Sequence, residues 1–176
     1  SCPPPIDLNT DKNNCGACGY VCDLPNAVEG CKGGSCFIGA CEDGWIDLDG
    51  VVENGCEYEC TATSDTDLPD AEFIDANCDG IDGDLQDAIF VSSTGKNTAS
   101  GSKEEPVQTL AKGISLLKET GKAGIYVAAG VYAEQVHFSD GVRIYGGYSA
   151  DGLWERNFYL HETIVAWDTL DDDLAV

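Results

Sequence analysis

The chain has 176 residues, 32 of them acidic and 9 basic, for a formal charge of −23. That balance excludes a nucleic-acid binder acting through a basic surface and disfavours docking on anionic lipid. Glycine is 21 of the 176, well above the usual ~7 per cent, which points to a turn-rich, mostly β chain rather than a helical bundle.

No apolar run approaches the ~18 residues of a membrane span. The start at Ser1, with no leader visible, reads as a processed, exported protein. All ten cysteines lie between Cys2 and Cys78, and the remaining 98 residues contain none. Charge divides the same way: residues 1–89 hold 20 acids against only Lys12 and Lys32, whereas residues 90–176 hold 12 acids and 7 bases. Two modules are therefore expected, 1–87 and 88–176.

Along the first 60 residues, Pro3, Pro4 and Pro5 give way to closely spaced Asp, Asn and Gly, with no apolar stripe at helical spacing. Such a stretch reads as loops and turns, and it holds too little carbon to offset chain entropy without covalent staples. Ten cysteines supply five disulfides, whose connectivity the sequence leaves open. Zinc is the rival reading, since Cys15-Gly16-Ala17-Cys18 has knuckle spacing and Cys22 follows. A second knuckle is missing, however, and no histidine precedes His137.

Two acidic clusters follow. The first contains Asp47, Asp49, Gly50, Glu53 and Glu57. The second runs from Asp67 and Asp70 into Asp75-Ala76-Asn77-Cys78-Asp79-Gly80-Ile81-Asp82-Gly83-Asp84. Aligned on a cation-binding loop, Asp75, Asn77 and Asp79 take positions 1, 3 and 5. Gly80 makes the sharp turn and Ile81 offers its carbonyl. Gln86 stands where an EF-hand needs a bidentate Glu, so Asp82, Asp84 or Asp87 would supply the missing oxygens. Hard oxygen ligands in flexible loops select calcium. The plain alternative is an acidic, solvated linker.

Three runs together carry a resemblance: Asn14-Cys15-Gly16 to Cys22, Asp47 to Glu57, and Asp75 to Gly83. Residues 10–84 resemble the cysteine- and Asp-rich metal-binding modules of large secreted bacterial surface proteins. That resemblance implies an extracellular or cell-surface location and calcium-stabilised loops, and no catalytic activity.

From Ala88 the texture changes. Ala88–Ser92 reads as a strand, followed by a polar loop to Ser102. A helix is predicted over 106–120, with Glu104 and Glu105 at its positive end, Pro106 in its first turn and Gly121 as its cap. Short β runs follow at Ile125–Ala128, Gln135–Phe138, Val142–Tyr145 and Thr163–Ala166, at intervals near 20 residues that suit coils of a parallel β-helix. Residues 88–150 resemble the start of the pectin-lyase-like right-handed β-helix. The resemblance rests on Phe90-Val91-Ser92, Pro106-Val107, Thr109-Leu110, the Gly130-Val131-Tyr132-Ala133-Glu134 run and Val142 to Tyr148. It implies that the helix plugs the N-terminal end of the coil stack.

The expected architecture is thus mostly β, a disulfide-rich loop module plus a short right-handed parallel β-helix with one capping helix. Glu134 and Asp140 are weighed as a catalytic carboxylate pair, but a solvated turn reads better, and no enzyme is expected. Tyr145, Tyr148, Trp154 and Tyr159 offer a sugar-stacking face, on which a carbohydrate-binding adhesin rests as the alternative role, although core and turn packing is the commoner use of such aromatics. A fragment of a polysaccharide-active enzyme is a further alternative. The main expectation is a secreted structural subunit that self-associates head to tail, because nothing after Thr163 reads as a second cap.

Overall fold

The computed structural model describes residues 6–137 and 140–166. The chain divides into two units, one made of residues up to Asp65 together with Ala76–Gly80, the other of Thr66–Asp75 together with the chain from Ile81 onward. The architecture is mostly β, with a disulfide-rich loop region and, among the described residues, a single α-helix.

In the first unit, β1 (Ala27–Lys32) and β2 (Ser35–Cys41) form an antiparallel hairpin in which Cys31 faces Cys36. Gly33 and Gly34 make its two-residue turn with φ of 62° and 79°, the left-handed pair that matches the twist of a hairpin. This stretch is therefore not loops alone, as its sequence suggests, but holds a regular hairpin. Its apolar alternation is hidden because cysteines, Cys31, Cys36 and Cys41, share the inward positions with Ala27 and Ile38. Cys15–Cys31 and Cys22–Cys36 staple the hairpin to the loop before it, and Cys41–Cys56 and Cys60–Cys78 follow in order. Cys18 is disulfide-bonded as well, and Cys2 lies outside the described residues. The buried cluster of this unit is Cys15, Cys22 and Cys31, with Cys36 against it. Sulfur takes the place of a hydrocarbon core.

The second unit is built on parallel pairing. β5 (Ala88–Val91), β6 (Gly124–Ala128) and β8 (Ile144–Tyr148) form one parallel sheet, with Ile89 opposite Ile125 and Ile125 opposite Ile144. β7 (Gly130–Tyr132) pairs in parallel with β9 (Thr163–Val165). Both faces of the three-stranded sheet are covered, which explains why its strands read as continuous apolar runs rather than alternating ones. Ile89, Val91, Ile125 and Val127 pack against Val107, Leu110, Ile114, Leu117 and Tyr132. Ala88, Phe90, Tyr126, Ala128 and Tyr148 pack on the other face with Ile81 and Trp154.

Both edges of this sheet are taken. Val107 bridges Val91 in parallel and its N–H donates to Phe90 O at 3.0 Å. At the far edge Arg156 bridges Tyr148 antiparallel, while the Asn157 N–H donates to Gly147 O at 2.7 Å. The expected strand at Gln135–Phe138 is absent over Gln135–His137; Phe138 lies outside the described residues. β7 takes its place earlier in the chain.

The helix α1 spans Leu110–Thr120, not 106–120, because Val107 belongs to the sheet edge and the Pro106 carbonyl accepts from the Lys96 N–H in the loop beside it. Thr109 caps it by accepting from the Lys112 N–H, and Gly121 ends it at φ 73° as expected. The acids at its positive end are not Glu104 and Glu105. Glu134 accepts from the Leu110 N–H at 2.7 Å with one carboxylate oxygen and from the Ala111 N–H at 3.0 Å with the other. Two N–H groups that have no partner within the helix are thereby satisfied by an anion at the positive end of the helix dipole. This corrects the reading of Glu134 as a solvated turn residue. Replacing it with Ala is expected to destabilise the second unit by ~1–3 kcal/mol in urea unfolding, with Gln losing less. A Glu134→Ala variant as stable as the parent would show that the cap contributes nothing.

Candidate metal centre

The first acidic cluster lies on a hairpin loop. β3 (Trp45–Ile46) and β4 (Tyr58–Glu59) pair antiparallel, Trp45 opposite Glu59 and Ile46 opposite Tyr58. Residues 47–57 connect them, anchored from inside by the fully buried Cys56 of the Cys41–Cys56 disulfide. The carboxylates fold the loop backbone around themselves. Asp47 Oδ1 accepts from the Gly50 N–H at 2.8 Å and Asp49 Oδ1 from the Val51 N–H at 2.8 Å. Asp49 Oδ2 accepts from the Asn54 side-chain amide at 3.0 Å, and Glu57 Oε1 from the Leu48 N–H at 2.9 Å.

This folding brings an oxygen of Asp47, of Asp49 and of Glu57 within 4.8 Å of one another. Two like charges ~4 Å apart repel by roughly 1 kcal/mol in water and about 4 kcal/mol at an effective dielectric near 20. A divalent cation would turn that repulsion into attraction. The donor set is all oxygen, which fits a hard cation. Asp47 and Glu57 each commit one carboxylate oxygen to a backbone N–H of the loop. Glu53 sits in the 3-10 turn Val52–Asn54 of the same loop, exposed and outside this trio.

The second cluster is distributed differently. In the first unit, Asn77 and Asp79 bind each other: Asn77 Nδ2 donates to Asp79 Oδ2 at 3.0 Å, and the Asp79 N–H donates to Asn77 Oδ1 at 3.2 Å. Asp67, Asp70, Asp75, Ile81, Asp82 and Asp84 belong to the second unit. There Ile81 contributes its side chain to the core beside Phe90. Asp67 Oδ2 accepts from the Gly83 N–H at 2.8 Å, Asp70 Oδ1 from the Glu72 N–H at 2.8 Å and Asp84 Oδ1 from the Gln86 N–H at 3.1 Å. Asp67, Asp84 and Asp87 line a cavity of about 220 Å³ walled by Tyr126 and Tyr145. Asp82 is ion-paired with Arg156 at 2.7 Å. Burial pushes its carboxyl above the ordinary range, and the Arg156 and Asp70 hydrogen bonds offset part of that rise.

A second convergence, of the sulfurs of Cys15, Cys22 and Cys36, is not a metal site. Cys15 is bonded to Cys31 and Cys22 to Cys36, so no thiolate remains to bind zinc. The aromatic cluster also has another use. Tyr148 and Trp154 are buried, with Tyr148 stacked on Tyr126 at 5.0 Å and Trp154 edge-on to Phe90 at 4.8 Å. Tyr159, 80 per cent exposed, is the member that faces solvent. His137 is exposed.

Nothing in the sequence assigned Arg156 a role, whereas Trp154 was expected in the sugar-stacking face. The usable signal for Arg156 was its rarity, since it is one of only two arginines in a chain carrying 32 acids.

Residues 93–166 match a family model described as a protein of unknown function (DUF1565). The match covers less than half of the chain and lies within the second unit. No curated protein and no solved structure matches the chain significantly.

Proposed function

We propose that this chain is a structural module of a secreted bacterial surface protein, in which a calcium- and disulfide-stabilised unit precedes a short right-handed parallel β-helix. The convergence of Asp47, Asp49 and Glu57 on a disulfide-anchored loop carries the calcium reading. Calcium takes six to eight oxygens in flexible geometry, and carboxylates bind it with one oxygen or two. Asp47, Asp49 and Glu57 would hold the ion, and its charge would offset their mutual repulsion. Four disulfides among the described residues support an oxidising, extracellular setting. The stacked parallel strands β5, β6 and β8, with β7 and β9 beside them, support the β-helix. No helix among the described residues is long and apolar enough to cross a membrane. The role is scaffolding rather than turnover.

Self-association belongs to the same proposal, with a restriction on where copies could meet. The edge of β8 is occupied by the Arg156–Asn157 segment, so further strands cannot add there. The β7–β9 sheet, with Val131, Ile164 and Val165 exposed, is the surface a second copy would use.

Calcium is the test. An ion that binds only the folded chain stabilises it by RT ln(1 + [L]/Kd), about 2.7 kcal/mol at a hundred times Kd. EDTA is therefore expected to lower the melting temperature of the parent protein, and the combined Asp47→Asn, Asp49→Asn, Glu57→Gln variant to melt alike with and without it. A parent melt indifferent to EDTA, with no heat of calcium binding, would leave the loop as a solvated acidic turn.

A further inference from the structure

The run that resembles a cation-binding loop carries, in its second half, a cation of the chain's own. We propose that the Arg156 guanidinium is the cation of the second acidic cluster. In that role it clasps residues 66–75 and 81–87 to the aromatic face of the β5–β6–β8 sheet, and Asp82 is its structural counter-ion rather than a metal ligand.

Arg156 Nη1 donates to Asp82 Oδ2 at 2.7 Å and also to the Asp70 carbonyl, while Nε donates to Gly146 O at 3.1 Å. The Asp70 N–H in turn donates to Asp82 Oδ1 at 3.0 Å, so both polar groups of the Asp70 backbone serve the pair. The two side chains are 9 and 2 per cent exposed. Four rings, Phe73, Tyr145, Tyr148 and Phe158, stand with their centroids 5.6–6.0 Å from the guanidinium carbon. That distance lets each ring attract the cation through its π face. Phe73 comes from the clasped segment and the other three from the β8 side of the unit.

The rest of the run is fitted to the same face. The Tyr148 hydroxyl donates to Asp82 O at 2.6 Å, and the Asp84 N–H donates to the Tyr126 hydroxyl at 2.8 Å. Gly83 has φ of 124°, and a Cβ there would come within 2.5 Å of the Tyr126 hydroxyl. A glycine is required because the backbone must lie directly on that ring. A planar guanidinium with fixed donors suits such a site, and a compact lysine ammonium does not.

A buried pair contributes little net stability over an apolar substitute, but loss of one partner leaves an uncompensated buried charge. Asp82→Asn and Arg156→Met are each expected to lower the folded-to-unfolded ratio of the second unit by about a hundredfold or more. The double variant should recover part of that loss. Arg156→Lys, which keeps the charge without the fork, should fall between Arg156→Met and the parent. Hydrogen exchange in the intact chain should quicken first at residues 66–75 and 81–87.

All of this is expected equally in EDTA and in calcium, and that separates the clasp from the ion proposed at Asp47, Asp49 and Glu57. If Asp82 binds calcium instead, Asp82→Asn would be harmless in EDTA and would weaken calcium affinity. That result would overturn the clasp. So would additive single-variant effects, or unchanged exchange at 66–75 and 81–87 in Arg156→Lys, a variant mild enough to fold.

Discussion

Reduction of the disulfides is expected to unfold the cysteine-rich unit while the β5–β6–β8 sheet stays folded. The four described bridges close loops with sequence separations of 14 to 18 residues. A loop of about 15 residues contributes roughly 3 kcal/mol by restricting the unfolded chain. Several such contributions exceed the stability that so small a unit could hold otherwise, since ordinary domains have only about 5–15 kcal/mol in total. The sulfurs are also its core, so reduction removes crosslinks and packing together. The second unit has two apolar clusters and no cysteine in either. Amide exchange followed by mass spectrometry, with and without a phosphine reductant, would show β1 and β2 losing protection and β6 keeping it. Persistent protection of β1–β2 after complete reduction would show that hydrocarbon and hydrogen bonds suffice there. Loss at β6 in step with β1 would show that the two units unfold as one.

The other large effect is expected from Phe90→Ala. Phe90 is 1 per cent exposed at the centre of the aromatic face, edge-on to Tyr126 at 5.6 Å and to Trp154 at 4.8 Å. Truncating a buried Phe to Ala typically destabilises by 3–5 kcal/mol, a lost transfer term plus the cavity left behind. Here the cavity should relax little, because its walls are fixed by bonds at their rims. The Trp154 indole donates to Lys103 O at 3.2 Å, and the hydroxyls of Tyr126 and Tyr148 are bonded to the Asp82–Asp84 backbone. Urea unfolding of the second unit would report the loss, which should sit near the upper end of that range. A change below about 1 kcal/mol would mean that the face is loosely packed and that its aromatic contacts have been overvalued.

Much of the second unit was legible because its signals are local. The strands at 88, 125 and 163 are apolar runs bounded by turns, and Gly121 marks the helix end within a residue. The helix start was misjudged because Pro106 and Val107 satisfy first-turn preferences, yet Val107 is held by Phe90 and Val91 across the sheet edge. Local preference lost to a tertiary hydrogen bond. In the first unit the β1–β2 hairpin escaped notice although Gly33-Gly34 stood at its turn, because its inward-facing cysteines were counted as crosslinks rather than as core.

The candidate ion site divides the same way. Asp47, Asp49 and Glu57 all stand in the acidic run visible in the chain, whereas the separation of Glu53 from that trio appears only in the folded loop. Asp82 and Arg156 are 74 residues apart, and Glu134 lies 24 residues from the N–H group it caps. No periodicity or spacing rule connects such pairs.

The Cys60–Cys78 disulfide has a mechanical meaning for a chain held at both ends. The residues between them form a ring, and within it lies 66–75, with Asp70 and Phe73 at the Arg156 clasp. A pulling force entering at Cys60 leaves at Cys78 through the sulfur bridge, across Cα atoms 5.8 Å apart, and never runs through the ring. Asp70 and Phe73 thus keep their places without bearing load, while Asp82, just beyond the ring, takes the pull. The bridge also stores slack: the bypassed residues could extend by roughly 60 Å at about 3.5 Å each, and that length is released only when the sulfur bond breaks.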